Sequence, residues 1–240
     1  MARLPRLSLA EHAHLVLLRG HNGQSVFSDD VDRQGFLSAL VSACASERVA
    51  LHGYALLPDR VWLLCTPAAN EALSRAMQSL GRRFAAAFNR RHRRSGSLWD
   101  GRYRATVVEG GETLLEAMVF VDQAGESPPS ANGESGPLWS SARQHRGQES
   151  GSGPPLNDAE AYWALGNTPF DRAAAYGRIL DEPLAPHQLQ RISDAAQKGW
   201  ALGSAAFLLQ LRSLTERPLI PRARGRPKGP KRATTRREAV

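Results

Sequence analysis

Residues 53–65 read GYALLPDRVWLLC, and the fold turns on them. Two apolar runs flank Pro58-Asp59-Arg60. Proline fixes φ for a tight turn, and aspartate bonds its own backbone there. The stretch therefore predicts two consecutive strands, residues 49–57 and 61–66, joined as a hairpin. The second run is almost wholly apolar, so it is expected inside a sheet with both faces covered. Arg60 alone brings a charge to its start.

Working upstream, HLVLLR at residues 14–19 is a short apolar run closed by Gly20, with Asn22-Gly23 beyond it: a strand and a turn. Ser28-Asp29-Asp30 supplies N-caps for a helix reaching about residue 48. Val31, Phe36, Leu37, Leu40, Val41 and Cys44 form its apolar face. Downstream, Leu73, Met77, Leu80, Phe84 and Phe88 recur at helical spacing over 72–94, and Ser95-Gly96 stops that helix. Residues 98–109 read as a strand or hairpin in which Arg102 and Arg104 alternate with Tyr103 and Ala105. A further helix is expected over 112–123. The order β-α-β-β-α-β-α predicts an α+β fold, a ferredoxin-like antiparallel sheet with helices packed on it. The division is an α/β domain over 1–125, a Gly/Ser/Pro-rich linker over 126–157, a small helical extension over 158–220, and a basic tail over 221–240 expected to lack structure when free.

The chain has 240 residues, 42% of them hydrophobic, and a formal net charge of +8. That composition is globular. The charge is concentrated in two blocks. Residues 72–98 contain seven arginines and no acid; residues 221–240 contain eight Lys/Arg and one Glu, and the remainder is net acidic. Blocks of this kind are the footprint of a polyanion binder, against the alternative of a solvated helix face and a loose tail. Arg82, Arg83, Arg90, Arg91, Arg93, Arg94, Arg102 and Arg104 are the candidate phosphate contacts, with Trp99 and Tyr103 as stacking partners or core. Arg224-Gly225-Arg226-Pro227-Lys228 has an AT-hook core, suited to the narrow minor groove of AT-rich duplex. Cys44 and Cys65 read as buried small hydrophobes rather than zinc or redox ligands. No apolar run is long enough to cross a membrane, and no leader is evident, so a cytoplasmic, nucleoid-associated protein is expected.

The ordered pieces LVLLRGHNGQSVF (15–27), GYALLPDRVWLL (53–64), GRRFAAAFNRRHRRSGSLWDGRYRATVVE (81–109), LLEAMVFVDQAG (114–125), LWSSARQHRG (138–147), YWALGNTPFDRAAAY (162–176), GWALGSAAF (199–207) and RGRPKGPK (224–231) resemble the REP-associated tyrosine transposases of the single-strand HUH family. The resemblance implies a single-stranded or hairpin DNA partner. It also implies two histidines, two residues apart on one strand face, that hold a divalent metal such as Mg against a scissile phosphate. A tyrosine on a later helix would attack that phosphate. This chain departs at each of those positions. Asp59 stands for the asparagine before the ligands, Arg60 and Trp62 for the histidines, Phe120 for the tyrosine, and Ala124-Gly125 for Asn-Pro. Arginine stays protonated and tryptophan offers no ligand lone pair. The expectation is a DNA-binding protein with no catalytic residue, no metal and no cofactor. Arg60 is suited to a phosphate, and Trp62 to a base or to filling the site. An active transposase with an unrecognised nucleophile, a transposase remnant, and a module binding an acidic protein are the other readings. Monomer and dimer are both compatible with the sequence. His12 and His14 are a decoy pair, and His52 is expected to be packed or hydrogen-bonded.

Overall fold

The computed structural model describes residues 6–125, 139–148 and 153–221. Four strands, β1 (Ala13–Arg19), β2 (Val49–Leu57), β3 (Arg60–Pro67) and β4 (Arg104–Val108), form one sheet in the order β2-β3-β1-β4. All neighbours are antiparallel. With α1 (Asp30–Glu47) and α2 (Ala72–Arg91) as crossovers, this is the split β-α-β arrangement expected of a ferredoxin-like sheet. The hairpin read from residues 53–65 is present, and β3 is central, between β2 and β1.

Period-two alternation sends the strands' side chains to two cores. On one face Val16, Leu18, Leu63 and Tyr54 meet Phe36 and Leu40 of α1 and Leu80 and Phe84 of α2. Phe36 and Phe84 pack edge to face with centroids 5.1 Å apart, a favoured aromatic geometry. On the other face Leu15, Leu17, Trp62 and Leu64 meet α3 (Glu112–Gly125) and residues of α5 (Glu160–Trp163), α6 (Pro169–Asp181) and α7 (Pro186–Lys198). Covering both faces explains why the strands read as continuous apolar runs. Asp29, rather than Ser28, caps α1, its carboxylate accepting from the Asp32 N–H at 3.1 Å. Arg48 ends α1 in the left-handed conformation, with φ 53.

One expectation changes. The stretch 98–109 is not one strand: β4 begins at Arg104, and residues 98–103 form a loop tied to the end of β1. His21 N–H donates to the Leu98 carbonyl at 2.9 Å and Asp100 N–H to the Arg19 carbonyl at 2.8 Å, a single bridge between Gly20 and Trp99 that residues 100–103 separate from the β4 ladder. Within 126–157, the described residues run along the β2 edge of the sheet. Leu56 N–H donates to the Trp139 carbonyl, Ser141 N–H to Tyr54 and Asn157 N–H to Leu51, extending the β2 edge. There α4 (Ala142–His145) seats His145 in the core. The opposite edge is closed too, where Leu202 N–H donates to Val107 and Glu109 N–H to Leu202, both at 2.8 Å. Exposed strand edges template pairing with other chains, and here returning segments cover both. Gly125 permits the first return: a Cβ there would lie 2.4 Å from the Ser140 Cβ.

α8 (Ala205–Leu214) completes the described helices, and none of them is long and apolar enough to cross a membrane. Cys44 and Cys65 are free and buried, and burial raises both thiols.

Candidate nucleic-acid interface

β3 and α3 bring Trp62 and Phe120 together. Their ring centroids are 5.0 Å apart at an interplanar angle of 82°, an edge-to-face pair inside the second core. Both are buried. Leu17 stands opposite Trp62 on β1, and Leu64 flanks it on the same face. Arg60, two residues before Trp62, sits at the strand's mouth, half-exposed. Its Nε and Nη2 donate to the two Asp59 carboxylate oxygens at 2.8 and 2.7 Å. This bidentate pair depresses the Asp59 carboxyl and raises the guanidinium further. The residues present do not fit a divalent cation. One side chain is a cation, one is a ring whose single N–H donates, and the nearest carboxylate is engaged by arginine. Among the described residues, no three His, Cys, Asp or Glu side chains gather as metal ligands.

The remaining histidines have separate partners. His14 Nδ1 donates to the His12 carbonyl at 2.7 Å, and its Nε2 accepts from the Leu9 N–H at 3.2 Å. Burial pushes it down to about 4, so the ring is neutral. His52 Nδ1 donates to the Asn157 carbonyl at 2.7 Å, and Nε2 accepts from Thr66 Oγ1 at 2.8 Å. Burial lowers it as well.

A buried polar cluster behind Phe120 was missed in the sequence. Asp122, fully buried, accepts from Ser141 Oγ, from His145 Nδ1 at 2.7 Å and from Tyr176 Oη at 2.7 Å. His145 Nε2 donates to the His52 carbonyl at 2.9 Å. Both ring nitrogens therefore donate, which requires imidazolium. Burial opposes that charge, but the Asp122 charge and hydrogen bond outweigh it and raise the His145 pKa. The cluster ties α3, α4 and α6 together and reaches no solvent. Only its spacing along three distant segments encodes it, so no local pattern could have disclosed it.

The basic block on α2 does not present one face. Arg91 is spent structurally: Nη2 meets Asp29 and Nη1 meets Asp32, both at 2.6 Å, clamping the end of α2 to the start of α1. Arg94 Nη2 donates to Gln24 Oε1 at 3.2 Å, and its guanidinium lies over the Phe88 ring. Arg83 and Arg90 border a groove of about 370 Å³ between α1 and α2. Arg93 is exposed, with φ 51. Arg104 donates to the Gln197 carbonyl at 2.5 Å, fastening α7 to β4.

Arg82 and Arg102 instead reach a larger groove of about 560 Å³ between α2 and the 96–103 loop. Arg6, Arg19 and Arg75 join them, three residues the sequence reading did not assign to this surface, and no acidic side chain lines it. Arg75 is held by Glu47 at 2.5 Å. Arg82, Arg83, Arg90, Arg93 and Arg102 have no ion-pair partner among the described residues. Trp99 is partly core, stacking toward Phe36 and Phe84, and its Nε1 donates to the Gly81 carbonyl at 3.2 Å. Tyr103 carries the Arg6 guanidinium 4.0 Å above its ring and shares a hydrogen bond with Ser74 at 2.9 Å. Both aromatics thus border the groove while anchoring the loop. Arg224, Arg226 and Lys228 lie outside the described residues.

No protein-family model matches the chain, and no curated protein does. Among solved structures, the chain is similar to a REP-associated tyrosine transposase bound to a REP hairpin, at 13% identity and TM-score 0.49, over 67% of this chain and 96% of that one. It is also similar to a Deinococcus radiodurans protein described as a transposase, at 22% identity and TM-score 0.34, over 45% of this chain and 87% of that one.

Proposed function

We propose that the protein is a DNA-binding relative of the REP-associated tyrosine transposases that holds hairpin or single-stranded DNA without cutting it, in the cytoplasm on the nucleoid. The observation that carries the binding half is the arginine groove between α2 and the 96–103 loop, lined by five arginines and by no acid. Such a surface neutralises phosphates and releases their counterions. The silent half is supported by Trp62 and Phe120, which occupy the implied ligand and nucleophile positions with a ring contact. Phenylalanine has no oxygen to attack phosphorus, and Arg60 is charge-paired with Asp59. The tail adds a second contact, with Arg224 and Arg226 entering the minor groove of AT-rich duplex.

Fluorescence anisotropy tests the reading with four DNAs at two salt concentrations: a hairpin with an unpaired flank, the same strand unfolded, a GC-rich duplex and an AT-rich duplex. The expected result is tightest binding to the flanked hairpin without added metal, weakening steeply with salt. Equal, weak binding to all four would overturn it. A parallel incubation of labelled flanked hairpin with Mg or Mn should leave the strand intact, and a covalent protein–DNA adduct would overturn the silent half. Removing residues 221–240 should weaken duplex binding more than hairpin binding; equal loss for both would remove the minor-groove role of the tail.

A further inference from the structure

The groove's size and walls narrow what it can hold. Its volume, about 560 Å³, lies within the range of about 300–1,000 Å³ typical of pockets that enclose a small molecule. That admits a nucleotide or two and is too small to enclose a double helix. The floor is apolar: Leu18, Met77 and Leu98 are buried beneath it, and its accessible surface comes from the partly exposed Ala85, Trp99 and Tyr103. The charges are on the rim, with Arg82 on α2 and Arg102 on the loop, both exposed. A duplex shows its phosphates outside and hides its bases, so it has nothing to set on an apolar floor. An unpaired nucleotide offers a flat apolar face and a charged link on either side, which matches floor and rim.

The loop is also held in place without ligand. Trp99 Nε1 bonds α2, Asp100 N–H bonds the end of β1, and Gly101 turns the chain with φ 72. A wall fixed beforehand does not have to be ordered on binding, which preserves affinity. Gln78 borders the groove, exposed and with no side-chain hydrogen bond among the described residues, so its side-chain amide is available to a base edge. The Ser74–Tyr103 hydroxyl pair offers a second polar point.

We infer that this groove is a seat for one or two unpaired nucleotides, with base faces on Trp99 and Ala85 and flanking phosphates on Arg82 and Arg102. The inference rests on the DNA-binding reading and adds where, and in what form, the strand is gripped. The test uses the full chain and a hairpin carrying a five-nucleotide single-stranded flank, with 2-aminopurine placed at each flank position in turn. The fluorescence should change at one position or two adjacent ones and stay flat elsewhere. An abasic site at the same position should weaken binding about tenfold, the order of one stacked base. Ala85→Phe, which narrows the groove without altering charge, should abolish the signal while leaving the thermal unfolding midpoint close to that of the parent. A signal spread evenly along the flank, or an abasic site without effect, would overturn the seat while salt-sensitive binding persisted. No binding to any DNA would overturn the DNA reading itself, and the seat with it.

Discussion

The Trp62 indole and the Phe120 ring meet edge to face with centroids 5.0 Å apart, so two positions separated by nearly sixty residues converge on one apolar contact. Burial of both rings makes the pair part of the second core.

Truncating either ring should therefore cost stability rather than turnover. Trp62→Ala and Phe120→Ala are each expected to lose about 3–5 kcal/mol of unfolding free energy. A double-mutant cycle should return a coupling of about 0.5–1.5 kcal/mol beyond area loss. Urea unfolding of the four proteins measures it, and additive losses would show that the rings do not cooperate.

The arginines should separate into two classes. Arg82→Ala combined with Arg102→Ala is expected to weaken single-strand binding about tenfold at low salt. It should also lower the slope of log affinity against log salt by about 1.4, near 0.7 per phosphate contact. Unfolding should hardly change, because neither guanidinium has an ion-pair partner among the described residues. Arg91→Ala should do the reverse, destabilising the α1–α2 junction where Asp32 is buried, with a smaller effect on the salt slope.

Gly125→Ala should force Ser140 away from α3, since the new methyl would sit 2.4 Å from its Cβ. Overpacking of this kind costs about 1–3 kcal/mol. Hydrogen exchange is expected to rise at Leu56 and Ser141, whose N–H groups bond across this junction. Unchanged protection there would mean that the segment tolerates the methyl by sliding.

Histidines should bend the stability profile in opposite directions. His14 is held neutral, down to about 4, so its contribution is present above about 6.5 and is lost as pH falls through 4. That limb amounts to about 3 kcal/mol. His145 is held protonated by Asp122, so its contribution is complete below about 6.5 and is lost as pH rises through its raised folded value. Urea titrations between pH 4 and 9 should show both limbs. His14→Gln should flatten the acid limb alone and His145→Gln the alkaline limb alone; a single variant that flattened both would contradict the assignment.

Local pattern carried much of the architecture. The two strands around Pro58-Asp59-Arg60, the apolar stripe from Leu73 to Phe88 and the helix after Gly111 are each visible in a short window, because burial repeats with period two or 3.6. Side-chain allegiance was harder. Arg82 and Arg91 look alike in the sequence, yet one faces an open groove and the other two carboxylates sixty residues away. Arg102 and Arg104 alternate in the sequence, but Arg102 stays in the loop at the groove, while Arg104 opens β4 and bonds the Gln197 carbonyl of α7. The Asp122–His145–Tyr176 cluster joins three segments whose proximity exists only after folding.

The two covered strand edges have a consequence for synthesis. The β2 edge is completed by Trp139, Ser141 and Asn157 and the β4 edge by Leu202. A nascent chain that has just released α3 from the ribosome already has all four strands, but both rims are bare. It must wait for another eighty or so residues before the second rim closes. During that interval the half-made protein is a ready template for its neighbours on the same messenger, so slow translation through the Gly/Ser/Pro-rich stretch would favour clumping over folding.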